Sequence, residues 1–279
     1  MKIRRIQKWD WELVEVHNAA LSLLFLPQIG GRLIGCEYRG KEIFFQHPKL
    51  LGRVGSQGTF LNELGDAFAL WGGEKTWLAP QSSWVGKIPF QTLDSGAYEL
   101  EIYEASGVCE VVMKSQICEH SGIQIMRRFH IQNKLSSWSV EHEIKRINET
   151  SMDKLAIWTV SMIRRPARIL MPVSKDSEHV DGVRIFEHEG HSSRYAKQVI
   201  EKCEHVVIVD ASKDLEYKYG TDVSRAWIAA EIQSSPKSFV LMKSFDSLQS
   251  KPYPDGCTVE VYNSAKYPYF EMELLCTLV

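Results

Sequence analysis

Apolar and polar residues alternate with a period of two along most of this chain, which is typical of β-strands with one buried face. The clearest alternating segments are 98–103, 109–117, 124–132 and 137–147. Ser, Gly or Asn bounds the first three at intervals typical of antiparallel strands. The pattern predicts about 15 strands and no amphipathic helix longer than three turns. We therefore expect an all-β fold of two large, stacked, mostly antiparallel sheets.

The length of 279 residues fits one large β-sandwich domain, so we predict a single domain over 1–279. One region breaks the alternation. The segment at about 173–200 is polar and rich in His and Ser, and we interpret it as a loop or insertion.

Composition narrows the possible functions. The net charge of −2, with no long run of Lys or Arg, argues against nucleic-acid binding. No apolar run approaches the roughly 18 residues of a membrane helix, and the first residues lack a signal peptide's apolar core. The six cysteines show no CxxC pair and no metal-ligand spacing. We expect a cytoplasmic protein with reduced thiols, no metal, no cofactor and no membrane partner.

The segment Trp71–Trp84 concentrates side chains that suit a sugar ring. Indole faces stack on the C–H face of sugars, and the amine of Lys75 and the amide of Gln81 can bond hydroxyls. Its Gly and Pro content argues against a helix interior or a central strand. The alternative is a loop that its tryptophans pin to the core.

Acidic residues recur on the last predicted strand. Alternation places Tyr269, Glu271, Glu273 and Leu275 on one face, and residues 270, 272, 274 and 276 on the core face. Glu260 lies on a polar face just upstream. Carboxylates on a concave sheet can act as general bases or bind sugar hydroxyls, and the alternative is a solvated strand face.

Two further strands carry candidate residues. Trp158 lies in the middle of a predicted strand, where core packing is the alternative to ligand stacking. Arg127 and Arg128 must point to opposite faces of their strand. One of them therefore points inward and needs a Glu or an anionic ligand as its partner.

Several segments together resemble the galactose mutarotase-like (aldose 1-epimerase-like) superfamily, and within it a branch that lacks the usual catalytic His. They occur in the expected order along nearly the whole chain. The matching segments are Pro27–Leu33, Gly72–Gln81, Arg127–Phe129, Asn148 before the 155–163 strand, and Tyr269–Leu274. The Gly-Gly-x-Lys-x-Trp-x-x-Pro-Gln segment is the most specific of them.

The resemblance implies an all-β fold, a β-supersandwich with a concave carbohydrate site. In that site a Glu near the C-terminus is the general base and a His is the acid. By position the base is Glu273 or Glu271, with Glu260 a weaker candidate. Trp158 stands about where the His is expected, and an indole N–H cannot shuttle a proton near neutral pH. His47 or His130 could supply a displaced acid.

These observations predict a carbohydrate-binding, mutarotase-like protein, either an aldose or sugar-phosphate epimerase or a non-catalytic sugar-binding or sensing module. A polysaccharide lyase-like enzyme is a third alternative. The ligand would be a free sugar, a sugar phosphate or an oligosaccharide. The missing C-terminal turn of the family predicts an open sheet edge, which would invite a homodimer. The predicted substrate-binding residues are Lys75, Trp77, Gln81, Trp158, Arg32 and Arg128.

Overall fold

The computed structural model confirms that the chain is built almost entirely from antiparallel strands. The chain divides into two compact units, Met1–Ile157 and Trp158–Val279. The single-domain organisation over 1–279 stays a prediction. The structure describes residues 1–55, 59–148, 154–187, 191–223, 225–234, 237–246 and 252–278.

The first unit contains six strands that pair in the order β1-β2-β3-β4-β6, with the short β5 paired to β4. They are β1 (Lys2–Lys8), β2 (Trp11–His17), β3 (Leu21–Leu26), β4 (Arg32–Tyr38), β5 (Lys41–Glu42) and β6 (Glu74–Ala79). Buried aliphatic and aromatic side chains of these strands and the following loops, among them Trp11, Leu26 and Trp71, form one continuous core cluster.

A four-stranded antiparallel sheet completes the first unit, in the order β10-β9-β8-β7. It consists of β7 (Tyr98–Ala105), β8 (Val108–Ser115), β9 (Ile123–Gln132) and β10 (Trp138–Arg146). The short helices α1 (Leu61–Leu64) and α2 (Gln91–Asp94) belong to the same unit but not to this sheet. Burial alternates residue by residue along β9 from Ile123 to Ile131. The period-two pattern therefore predicted these four strands correctly.

The second unit contains a sheet in the order β11-β20-β19-β16-β13 and a five-stranded sheet in the order β14-β15-β12-β17-β18. The strands of the first are β11 (Ala156–Arg164), β13 (Arg184–Phe186), β16 (Tyr217–Thr221), β19 (Val259–Asn263) and β20 (Tyr269–Leu275). Those of the second are β12 (Ala167–Pro172), β14 (Ile200–Lys202), β15 (Val206–Asp210), β17 (Arg225–Ile232) and β18 (Phe239–Asp246).

The last strand, β20, lies inside its sheet. It pairs with β11 on one side and β19 on the other. Every residue of β20 is buried. Neither face of this strand is therefore the solvated face that the sequence analysis kept as an alternative. The expected open edge is therefore absent at β20. The homodimer stays a prediction.

The polar segment at about 173–200 contains regular structure rather than one long loop. It includes β13 and a nine-residue helix, α3 (His191–Val199). Ser192 and Val199 on this helix are buried. Its polar composition concealed the helix, because too few apolar residues mark its inner face. Among the helices that the structure describes, none is long and apolar enough to cross a lipid bilayer.

Candidate active site

Strand register brings three charged side chains together on one face of the second unit's sheet. Glu260 on β19 lies directly opposite Glu273 on β20. Lys218 on β16 lies opposite Tyr262, two residues along β19 from Glu260. Because side chains two residues apart share a face of a sheet, Lys218, Glu260 and Glu273 point the same way.

Lys218 bridges the two carboxylates. Its Nζ lies 2.6 Å from Glu260 Oε2 and 3.0 Å from Glu273 Oε2. The indole Nε1 of Trp158, on β11, donates a second hydrogen bond to Glu273 Oε2 at 2.8 Å. We call Trp158, Lys218, Glu260 and Glu273 the carboxylate cluster. Charged donors and acceptors at these distances make strong hydrogen bonds.

Lys218 is the most exposed member of the carboxylate cluster. Its side chain is 21% exposed, whereas those of Glu260 and Glu273 are 1% and 0% exposed. The ammonium lies 4.6 Å from the ring centroid of Trp158 and 5.3 Å from that of Phe186. A ligand that approaches the cluster therefore meets Lys218 first.

Each of the two carboxyl groups has one oxygen that is not yet used. Oε1 of Glu260 and Oε1 of Glu273 are buried and have no hydrogen-bond partner among the described residues. A buried polar atom without a partner costs free energy. The two oxygens are therefore suited to bind hydroxyl groups.

Burial and charge set the protonation of the cluster. Burial raises the pKa of Glu260 to about 8, because the effect of desolvation and of Glu273 exceeds the lowering by Lys218. Burial lowers the pKa of Lys218, but the charges of Glu260 and Glu273 more than offset this, so its pKa lies above its ordinary value. Near neutral pH the cluster thus holds a charged ammonium beside a Glu260 that is largely protonated.

Glu271, the second predicted catalytic residue, lies on the same face of β20, two residues before Glu273. Its strand partners are Tyr262 on β19 and Met162 on β11. It is buried, with 6% of its surface exposed. The Tyr262 hydroxyl donates to Glu216 Oε1 at 3.3 Å. Alternation therefore placed Glu271 and Glu273 on one face correctly, and the register of β19 with β20 adds Glu260 to that face.

Trp158 stands beside the predicted base, as the sequence suggested, but its ring has little free surface. It is 5% exposed, its N–H bonds to Glu273, and Lys218 lies over its ring. In this arrangement the indole holds Glu273 and Lys218 in place. Its role in stacking on a sugar stays a prediction.

Arg32 and Trp77, both predicted to bind substrate, lie in the first unit and converge on Asp94. Arg32 Nη2 and Trp77 Nε1 contact Asp94 Oδ1 at 2.8 Å and 2.6 Å. The side chains of Arg32 and Asp94 are 0% and 1% exposed. These contacts hold the fold of the first unit together, and a substrate-binding role for Arg32 and Trp77 stays a prediction.

The Trp-rich segment forms a strand where the sequence predicted a loop. Gly72 and Gly73, both with positive φ, precede β6, and Pro80 follows it, so the residues that break regular structure flank the strand. Lys75 on β6 is buried, with its Nζ 3.6 Å from the Trp77 ring centroid. Gln81 is exposed at the start of a 3₁₀ turn. Of this predicted pair of hydroxyl-binding residues, Lys75 is thus buried and Gln81 is exposed.

The two adjacent arginines of β9 differ in burial, as predicted. Arg127 is fully buried and bonds to Glu74 Oε1 at 2.9 Å. Arg128 is 31% exposed and contacts Glu110 at 3.2 Å and Glu141 at 3.8 Å. The inward arginine thus has a Glu partner. A ligand-binding role for Arg128 stays a prediction.

The two histidines considered as displaced acids lie in the first unit. His47 is buried, and its Nδ1 accepts a hydrogen bond from the backbone N–H of Lys49. His130 Nδ1 lies 3.1 Å from Glu110 and its Nε2 lies 3.5 Å from Glu141.

The sequence analysis missed Lys218 and Phe186. Tyr217-Lys218-Tyr219 places one charge between two aromatic residues in strand period, and both tyrosines are buried. A lysine on an otherwise buried strand was the available signal. Phe186 lies in the segment interpreted as a polar loop, so no pattern marked it.

Two surface cavities of the first unit contain none of the predicted site residues. One, of about 340 Å³, lies beside His17, Tyr38 and Lys134. The other, of about 410 Å³, lies beside Phe90 and His120.

Comparisons with known proteins show similarity in structure but not in sequence. No family model matches the chain, and no curated protein matches it. A galactose mutarotase-like protein from Clostridium acetobutylicum has a TM-score of 0.56 at 10% identity, covering 99% of this chain and 88% of the other. The Slr1438 protein from Synechocystis sp. PCC 6803 has a TM-score of 0.54 at 10% identity, covering 98% and 85%.

A TPR-domain containing protein from Parabacteroides distasonis is also similar, with a TM-score of 0.57 at 11% identity over 94% of this chain. The chain spans only 42% of the length of that protein. At these identities the likeness shows the fold alone. The fold is an all-β sandwich of mostly antiparallel sheets, similar to that of the galactose mutarotase-like protein.

Proposed function

We propose that this chain binds a carbohydrate at the carboxylate cluster of its second unit. The observation that carries the proposal is the pair of buried carboxyl groups, Glu260 and Glu273, which share one ammonium and each keep an unpartnered oxygen. Sugar hydroxyls both donate and accept hydrogen bonds. They can therefore donate to the carboxyl oxygens and accept from the Lys218 ammonium.

The fold is consistent with the same proposal, because the chain is similar to a solved structure described as a galactose mutarotase-like protein. Fold alone does not decide function, so the proposal rests on the cluster. The cluster favours a neutral sugar. Its ammonium already contacts two carboxylates, and these leave no unpaired positive charge for a phosphate or uronate.

The test is calorimetric titration of the whole protein with a panel of neutral aldoses, uronic acids and sugar phosphates. The Glu273→Gln variant removes the charge that Lys218 and Trp158 hold, and the affinity for the bound sugar should fall about tenfold or more. Glu231→Gln is the matched control. Glu231 lies in the same unit, with 43% of its side chain exposed.

Saturable binding that Glu273→Gln weakens and Glu231→Gln leaves unchanged would support the proposal. Equal affinities in all three proteins would place the sugar elsewhere on the chain. Failure of every sugar in the panel to bind the wild-type protein would contradict the proposed function for those ligands.

A second function, anomer exchange, is favoured by a separate observation. Glu260 and Glu273 differ in their surroundings. Glu273 accepts hydrogen bonds from Trp158 and Lys218, and among the described residues only Lys218 donates one to Glu260. Carboxyl pairs whose environments differ in this way are typical of acid–base catalysis.

A further inference from the structure

The contacts of the carboxylate cluster limit the number of protons that it holds. One oxygen of each carboxyl group lies within 3.0 Å of the Lys218 ammonium, and both glutamate side chains are almost fully buried. An uncompensated charge in such surroundings is costly, so the group gains or loses a proton instead. With one positive charge available, one of the two carboxyl groups keeps its proton near neutral pH.

Hydrogen bonding decides which carboxyl group keeps the proton. Glu273 accepts hydrogen bonds from both Trp158 and Lys218, whereas Glu260 accepts a hydrogen bond from Lys218 and from no other residue that the structure describes. Hydrogen bonds to the ionised form favour ionisation. Glu273 is therefore the charged carboxylate and Glu260 the neutral acid. The raised pKa of Glu260, caused first by burial, agrees with this geometric argument.

We propose that Glu260 and Glu273 catalyse anomer exchange of a sugar bound at the carboxylate cluster. Glu260 donates a proton to the ring oxygen, and Glu273 accepts the proton of the anomeric hydroxyl. The inference rests on the proposed carbohydrate binding at the same site. It assigns to a carboxyl group the acid role that the resemblance gives to a histidine. Trp158 cannot fill that role, because the indole N–H does not ionise near neutral pH.

The reaction is balanced without a cofactor. Glu273 takes the proton of the anomeric hydroxyl, and the C1–O1 bond becomes a carbonyl. The bond between C1 and the ring oxygen breaks, and the ring oxygen keeps its electron pair and takes the proton of Glu260. After rotation about C1–C2 the ring closes on the other face of the carbonyl. Glu260 then recovers its proton from the ring hydroxyl, and Glu273 returns its proton to O1.

The geometry suits this reaction because the two reacting sugar oxygens are bonded to the same carbon. Donor and acceptor must therefore lie close together, as two carboxyl groups do when one ammonium bridges them. The unpartnered Oε1 atoms of Glu260 and Glu273 are the positions from which the proton can leave and to which it can move. Lys218 contributes by holding the two carboxyl groups beside each other.

Magnetisation-transfer NMR on a sugar that binds would test the roles, using the whole protein. Wild-type protein should exchange the anomers faster than the spontaneous rate. Glu260→Gln and Glu273→Gln should each slow catalysed exchange by about 100-fold, in the range expected for general acid or base catalysis. Glu231→Gln, which changes only an exposed ion pair, should retain the wild-type rate.

The pH profile of the wild-type protein adds a readout that does not depend on any variant folding. Catalysed exchange should decline as the pH rises through about 8, because Glu260 then loses the proton that it donates. A profile that stays flat through that range would overturn the assignment. So would a Glu260→Gln variant that exchanges at the wild-type rate.

Binding and exchange are scored separately. A sugar that binds in a Glu273-dependent manner without faster exchange would overturn this inference and leave the proposed carbohydrate binding intact. Failure of all sugars to bind would overturn both.

Discussion

Trp158 lies about where the resemblance implies a catalytic histidine, but its side chain has different chemistry. The resemblance places a proton-donating histidine at about this position, and the indole instead donates a fixed hydrogen bond to Glu273 at 2.8 Å. An indole N–H donates and does not accept. Trp158 therefore orients the carboxylate and supports its charge, and the acid has to come from another residue.

Replacing Trp158 with Phe removes this N–H and keeps most of the ring. We expect the free energy of unfolding to fall by about 2 kcal/mol, because a buried charged acceptor loses a donor. Urea denaturation of wild type, Trp158→Phe and Trp227→Phe would measure it. Trp227, partly buried on β17, is the control for the ring change. Equal losses in the two variants would show that the bond to Glu273 contributes nothing.

The raised pKa of Glu260 predicts a pH dependence of stability. The folded state binds the Glu260 proton more tightly than the unfolded state, whose ordinary value is 4.5. This contribution is fully present below about pH 4.5 and is lost as the pH rises towards about 8. The loss amounts to a few kcal/mol, at about 1.4 kcal/mol per pH unit.

Glu260→Gln, which mimics the neutral acid, should lack this decline. Denaturation midpoints of wild type and variant between about pH 5 and 9 would then diverge, with the variant relatively more stable at the alkaline end. Glu231→Gln should follow the wild-type curve. Parallel curves for wild type and Glu260→Gln would mean that Glu260 ionises at its ordinary pKa.

Period-two alternation was sufficient to place Glu271 and Glu273 on one face of their strand, because strand geometry alone determines it. It was not sufficient to place Glu260 opposite Glu273, which depends on strand register. It could not find Lys218 as their partner, since the pairing of β16 with β19 is set by long-range register. Nor could it reveal that Arg32 and Trp77 share Asp94, which lies well over ten residues further along the chain. Local patterns give the face of a side chain, and tertiary contacts give its partner.

At the scale of elements, β6 and α2 are joined by the buried group of Arg32, Trp77 and Asp94. Arg32→Met would leave Asp94 buried without its charged partner. We expect a loss of about 3–5 kcal/mol in the free energy of unfolding, as is typical when one partner of a buried ion pair is removed. Arg53→Met, at an exposed ion pair of the same unit, should have little effect.

The same variant separates a structural role of Arg32 from a binding role. After correction for the folded fraction, the sugar affinity of Arg32→Met should equal that of wild type. A folded variant that loses affinity while keeping its stability would show that Arg32 binds substrate, as the sequence suggested.

Strand β16 needs a glycine at Gly220 so that its neighbours can approach. A Cβ at this position would lie 2.6 Å from Cys257 Sγ and 3.1 Å from Phe186 Cε2. Gly220→Ala should therefore destabilise the protein by about 1–3 kcal/mol through overpacking. It should also weaken sugar binding, because Phe186 packs beside Lys218. Thermal denaturation and calorimetry would measure the two effects, and an unchanged melting temperature would contradict the first.

At the scale of the whole molecule, the regular alternation predicted the all-β, antiparallel fold correctly, and the structural comparisons agree with it. The spacing of the predicted strands indicates the fold class, because each strand must bury one face. It did not reveal α3, whose polar sequence resembles that of a loop, or β6, whose flanking glycines and proline suggested a loop. The amino-acid composition also did not indicate the division into two compact units.

The most direct test of the carboxylate cluster as the sugar site is ¹³C NMR of the glutamate side-chain carboxyl carbons during titration with a sugar that binds. The Glu260→Gln and Glu273→Gln variants assign the two resonances. Our account predicts that these two resonances shift saturably with the sugar, because its hydroxyls contact their unpartnered oxygens. Saturable binding that leaves both resonances in place and shifts other glutamates would contradict it.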